Sequence, residues 1–201
     1  MSEEIKQGRS SAKLIFLLFM FGLPVAGSWY LVFFTDYARN GKGVEHGDLI
    51  KPPRQLENIQ LIQVGAPASE QTTLHGKWSM LFFVEGDCEA SCEENLYRLR
   101  QIRLATGKEL LRVQRVAVVN ENAESLFGDY LGENYPGQMY VSNSDLDENF
   151  LHQFEDLRIN DKTAIFLVDP RGFLMMRYSS ETNPSGIIHD LSRLLRISSE
   201  G

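Results

Sequence analysis

Hydrophobic and polar positions along the chain change period several times, and each change marks an element. Leu14 to Phe34 is a run of 21 residues without a charge, long enough to cross a hydrocarbon core as a helix. Asp36 to Pro53 is rich in glycine, proline and charge, and reads as a tether. Leu56, Ile59, Leu61 and Val64 alternate loosely and predict an edge strand. Trp78 to Val84, WSMLFFV between Gly76 and Gly86, is short, continuous and rich in β-formers, as a buried strand is. From Cys88 the spacing turns helical. Cys88, Cys92, Leu96, Leu99 and Ile102 share one face, and Gly107 supplies a C-terminal stop.

The run VQRVAVV, Val113 to Val119, predicts a second buried strand. Asn120 to Leu131 predicts a short helix, Pro136-Gly137 a loop, and Gln138 to Val141 a short strand. Ser144 is the expected N-cap of a helix that buries Leu146, Phe150, Leu151 and Phe154. Thr163 to Val168 predicts a strand, Asp169-Pro170-Arg171-Gly172 a tight turn, and Phe173 to Tyr178 its hairpin partner. Asn183 and Pro184 open a last helix with an apolar face of Ile187, Ile188, Leu191, Leu194 and Leu195. Helices that alternate with strands and give way to a hairpin imply a mixed sheet covered on both faces. The expected class is α/β, a thioredoxin-like mixed central sheet flanked by helices, preceded by a single N-terminal transmembrane helix. The expected divisions are a cytoplasmic tail at 1–13, an anchor at 14–34, a tether at 35–55 and the thioredoxin-like domain at 56–198.

Charge refines this picture. The 201 residues carry a formal net charge of −7, and no basic patch is interleaved with aromatics, which argues against nucleic acid as a partner. A cleaved signal peptide is the rival to the anchor, with small residues at Ala26-Gly27-Ser28. The apolar run continues through Phe34 without an A-x-A pattern, so a retained anchor is the reading. Lys6, Arg9 and Lys13 precede the span, and Arg39 and Lys42 follow it. This small asymmetry keeps the N-terminus in the cytoplasm and the domain outside, in a bacterium the periplasm. Paired cysteines there can be oxidised.

Cys88 and Cys92 are the two cysteines of the chain. One helical turn apart, their Cα atoms are expected at about 6 Å, within reach of a disulfide. Two thiolates also suit Cu(I) or Zn(II), so spacing alone leaves both chemistries open. Glu85, Asp87, Glu89, Glu93 and Glu94 surround the pair. These carboxylates disfavour thiolate and so favour the disulfide, and they attract cations. They also match the macrodipole of a helix that ends in Arg98, Arg100 and Arg103, which explains them without any chemistry. An inert structural disulfide is the rival reading, although so short a loop gains little entropy from closure.

The anchor, the strand WSMLFF, the C-x-x-x-C pair opening a helix and the run TAIFLVDPRGFLMMRY together resemble the SCO family. Its members are anchored thioredoxin-fold proteins involved in copper delivery to cytochrome c oxidase. The resemblance spans Leu56 to Arg196 and is specific around Cys88 and Cys92 and from Leu167 to Gly172. It implies that Cys88 and Cys92 are copper ligands or redox thiols. The family's third copper ligand is a histidine shortly before the last hairpin, whereas this chain reads Arg158-Ile159-Asn160-Asp161-Lys162-Thr163 there. The proline that faces the thiols in ordinary thioredoxins is absent from the same stretch, so the chain resembles a divergent member. His152, ahead of His189 and His75, is the candidate to complete a metal site, and Met175-Met176 offer soft sulfur or core filling.

The expected function is cytochrome c oxidase assembly at a bacterial inner membrane. Thiol–disulfide exchange, or transient Cu(I) holding by Cys88 and Cys92, would act on a respiratory oxidase subunit or copper chaperone. The alternatives are a tethered docking scaffold with a static disulfide, and a general periplasmic thiol–disulfide reductase.

Overall fold

The computed structural model describes residues 5–34, 45–63, 72–84, 88, 90–120 and 134–198. It divides into two units, Met1–Val44 and Glu45–Gly201. The first contains helix α1, Ile5–Phe34, with Pro24 inside it. Lys13–Leu31 within α1 has a mean hydropathy of 1.9, so by length and composition it is a candidate transmembrane span.

The second unit is a sheet with helices on both faces. Its strands are β1 (Asp48–Gln55), β2 (Gln60–Gln63), β3 (Thr72–Thr73), β4 (Trp78–Phe83), β5 (Val113–Val119), β6 (Gln138–Ser142), β7 (Ile165–Val168) and β8 (Phe173–Tyr178). Helix α2 (Ala90–Ala105) joins β4 to β5, α3 (Glu148–Arg158) precedes β7, and α4 (Pro184–Ile197) follows β8. The spatial order is β1-β8-β7-β4-β5-β6-β2-β3. β4, β5 and β6 are parallel neighbours, while β7 lies antiparallel to β4 and to β8. This is the thioredoxin-like mixed sheet expected from the element order.

Alternation along β4 separates two cores. Trp78, Met80 and Phe82 face one side with Ala117, Val119, Ile165 and Leu167, beneath Leu96, Leu99 and Ile102 of α2 and Ile187, Leu191 and Leu195 of α4. Leu81 and Phe83 face the other with Val116, Val118 and Phe166, beneath Phe150 and Phe154 of α3. There Phe154 packs edge-on against Phe83 and Phe166, each at 5.1 Å between ring centres. Met176 is buried in the first core and Met175 packs against it, so both fill space.

Several expectations shift. The stretch read as tether holds β1, whose Asp48 and Leu49 pair with Arg177 and Met176 of β8. Its prolines, Pro52 and Pro53, fit because the strand lies at the sheet edge and its register breaks between Leu49 and Arg54. Ser144 does not cap α3. It sits in a 3-10 turn at Asn143–Asp145, and its hydroxyl lies 2.9 Å from that of Ser142. Asp147 takes the capping role, accepting from the Phe150 amide at 2.7 Å. The helix expected at Asn120 to Leu131 falls almost wholly outside the described residues. Asn183 does cap α4, accepting from the Ser185 amide, with Pro184 as the first helical residue. The DPRG turn closes through Gly172, whose amide donates to the Asp169 carbonyl. Gly172 has φ +86°, and a Cβ there would stand 2.6 Å from His75 Nε2, so glycine is required.

Asp147→Ala is expected to lower stability by about 1 kcal/mol, and Ser144→Ala by less than about 0.5 kcal/mol, in chemical denaturation of the full-length chain.

Candidate functional site

The chain leaves β4 with the Val84 amide donating to the Val118 carbonyl at 2.8 Å, which continues the pairing of β4 beside β5. Cys88 follows two residues ahead of α2, and Cys92 lies in the first turn of the helix. The two are joined by a disulfide, with Cα atoms 5.2 Å apart and so inside the usual range. Their access differs. Cys92 is 8% exposed and belongs to the core under α2 and α4, whereas Cys88 is half-buried and packs against the rim of that core. An incoming sulfur must meet a sulfur from the open side, so Cys88 is the one a partner can reach. Glu93 and Glu94 face solvent, while Glu85, Asp87 and Glu89 lie outside the described residues.

One turn beyond Cys92, Asn95 is buried on α2 and its side-chain amide donates to the Thr163 carbonyl at 3.0 Å. Arg98, a further turn on, donates to the Ser180 carbonyl at 2.9 Å. These two side chains tie the cysteine helix to the loops before β7 and after β8. Asp161 organises both loops. One carboxylate oxygen accepts from the Thr163 amide at 3.1 Å and hydroxyl at 2.9 Å. The other accepts from the Ser180 amide at 2.7 Å and faces Arg177 at 3.7 Å. Burial alone would raise the Asp161 carboxyl. The Ser180 and Thr163 donors, with Arg177, outweigh it and hold the group below its usual range. Asp161 thus occupies the stretch where the resemblance places a histidine, and both its oxygens are already engaged within the protein.

The histidines named from sequence do not gather at the sulfurs. His152 is exposed on α3, where Nδ1 lies 2.8 Å from Glu155. α3 covers the opposite face of the sheet from α2, which rules out a shared site between His152 and the cysteines. His75 packs against Gly172 at the other end of β4, a strand roughly 17 Å long. His189 lies beside His46 and Asp190. Among the described residues, that trio is the one three-residue group of metal-ligating type, and neither cysteine belongs to it. Sequence reasoning missed Asn95, because an asparagine in a helix gives no periodic signal. It passed over Asp161 because the search there was for a histidine.

A cysteine disulfide where a parallel strand turns into a helix, within a mixed sheet covered on both faces, defines a thioredoxin-like domain. The model of the transmembrane-like, thioredoxin-like C-terminal domain matches residues 78–198, more than half of the chain, and the protein belongs to that family. No curated protein matches it. Among solved structures, copper-bound ScoI of Bradyrhizobium japonicum is similar at 19% identity, over 70% of this chain and 99% of that one, with a TM-score of 0.50. BsSco, a Sco-family cytochrome c oxidase assembly protein with a disulfide switch, is similar at 14% identity over 73% and 96%, with a TM-score of 0.52. A DsbF homologue of Corynebacterium diphtheriae is similar at 10% identity over 76% and 96%, with a TM-score of 0.53. At these identities the likeness is one of fold, and the fold is thioredoxin-like.

Because the Asp161 carboxyl is depressed in the folded protein, its contribution is complete above the unfolded carboxylate pKa and is lost as pH falls through the folded value. Asp161→Asn is expected to cost about 1–3 kcal/mol at pH 7. In denaturant titrations repeated across pH, that deficit is expected to shrink below about pH 4. A deficit independent of pH would show that the charge of Asp161 contributes nothing.

Proposed function

We propose that the protein is a membrane-anchored thiol–disulfide exchange module of SCO type, which acts on a copper-carrying subunit or chaperone during assembly of a respiratory oxidase. The proposed setting is a bacterial inner membrane, with the N-terminus in the cytoplasm and the thioredoxin-like domain in the periplasm. The observation that carries the reading is the Cys88–Cys92 disulfide with its unequal access, Cys88 toward solvent and Cys92 within the core. The oxidase-assembly role of BsSco supports the choice of partner.

The cycle follows from that asymmetry. In the reduced pair, the Cys88 thiolate attacks a partner disulfide, forming a mixed disulfide and releasing one partner thiolate. The Cys92 thiolate then attacks Cys88 Sγ, closing the intramolecular disulfide and releasing the second partner thiolate. Two electrons pass to the partner, and the oxidised pair is returned to dithiol by a reducing dithiol on the same side of the membrane. Cys88 also lies just ahead of α2, where the positive end of the helix dipole favours thiolate. Cu(I) is a cargo that the two reduced thiolates could share. The engaged oxygens of Asp161 and the placement of His152 favour exchange over a three-ligand copper site.

Cys92→Ser is expected to trap a mixed disulfide with the partner in cells, and Cys88→Ser to trap none. Both variants are expected to lose oxidase activity while the chain still accumulates in the membrane. Full oxidase assembly in both would establish the scaffold reading instead. Reduction of insulin by the wild-type chain would point to a general reductase. In anaerobic titration, Cu(I) uptake that is lost in Cys88→Ser but kept in His152→Ala is the expected signature of cargo held by the sulfurs.

A further inference from the structure

We infer that His46, His189 and Asp190 form a binding site for a divalent transition-metal ion of the Zn(II) class, separate from the cysteine pair. The three residues come from the two ends of the domain. His46 lies two residues before β1, and the other two lie on α4. Asp190 Oδ1 is 3.1 Å from His46 Nδ1 and 3.6 Å from His189 Nδ1. One ligand atom from each residue fits within a span of 4.8 Å. Four bonds of about 2.0–2.1 Å in a tetrahedron place neighbouring donor atoms about 3.3 Å apart; the two Asp190 contacts bracket that spacing, and the trio's 4.8 Å span would close by rotation of the exposed imidazoles. His46 Nδ1 and Asp190 Oδ1 already share a hydrogen bond, and the His189 contact is longer, so an ion would replace the first and draw the second in.

The surroundings are those of a held ligand set. Asp190 is 4% exposed, and its other oxygen, Oδ2, accepts from the His46 amide at 2.7 Å, the Gly47 amide at 3.3 Å and the Tyr178 hydroxyl at 3.4 Å. Those bonds orient the carboxylate and leave Oδ1 turned toward both imidazoles, the role that outer donors play around metal ligands. His46 lies flush on α4 because residue 186 is glycine. A Cβ there would stand 2.7 Å from His46 Cβ and Cγ. The imidazole side chains are 48% and 55% exposed, so the fourth position opens to solvent. Two imidazoles and one carboxylate suit Zn(II) and neighbouring first-row ions better than Ca(II) or Mg(II). The ion would clip residue 46 to α4 across most of the domain, and closing so long a loop is where a cross-link restrains the unfolded chain most.

The test uses the full-length chain in detergent with Cys88–Cys92 oxidised, so that no thiolate competes. Isothermal titration with Zn(II) is expected to show one ion bound per chain, and Co(II) to give the visible absorption of a low-coordinate site. Zn(II) is expected to raise the thermal midpoint. His46→Ala and His189→Ala are each expected to weaken Zn(II) binding about ten-fold or more, with His152→Ala unchanged. Gly186→Ala, which favours the helix but displaces His46, is expected to weaken it as well. Absence of Zn(II) uptake by the wild-type chain, or undiminished affinity in either His46→Ala or His189→Ala, would overturn the inference.

Discussion

The structure depends on the burial of β4. All six residues of Trp78–Phe83 are buried, with β5 paired along one edge and β7 along the other. One pleat face carries Trp78, Met80 and Phe82 and the other Leu81 and Phe83, so a slip of one residue would exchange two filled cores. The strand therefore has one register, and the chain leaves it at a defined point. That constraint places Cys88 at the mouth of α2 and Cys92 against the core, and makes two chemically identical residues unequal in reach.

A second constraint acts from the other side of the pair. Asn95 and Arg98 hold α2 to the loops around β7 and β8, and Asp161 braces both loops from within. A carboxylate that satisfies two loops cannot also reach for an ion without releasing them. The region beside the cysteine helix is thus held in a fixed geometry. The trio of His46, His189 and Asp190 differs in kind. Its carboxylate is anchored by amides and a phenol, while its imidazoles stay open to water.

Much of this was legible in the chain because the governing signals are local. The continuous run at β4, the helical line from Cys92 to Ile102 and the DPRG turn each report a period or a turn chemistry that needs no distant partner. The elements that misled depend on distant partners. Asp48–Gln55 carries prolines and charges, and becomes a strand only because β8 offers an open edge beside it. Ser144 and Asp147 are both acceptable caps, and the turn at Asn143–Asp145 consumes the first and leaves the second at the helix start. Arg115, in the middle of the apolar run VQRVAVV, is buried, and one of its nitrogens donates to the Pro136 carbonyl at 2.7 Å.

The sequence by itself determined the order of the described strands and helices from β4 to α4, the mixed thioredoxin-like sheet and the nearness of Cys88 to Cys92, since each follows from spacing along the chain. Tertiary structure alone decided which cysteine is the more accessible, that His152 lies across the sheet from both, and that His46 meets Asp190 from 144 residues away. The physical reason is that periodicity encodes which face a residue occupies, whereas the meeting of two faces is set by how the sheet closes and what each helix covers.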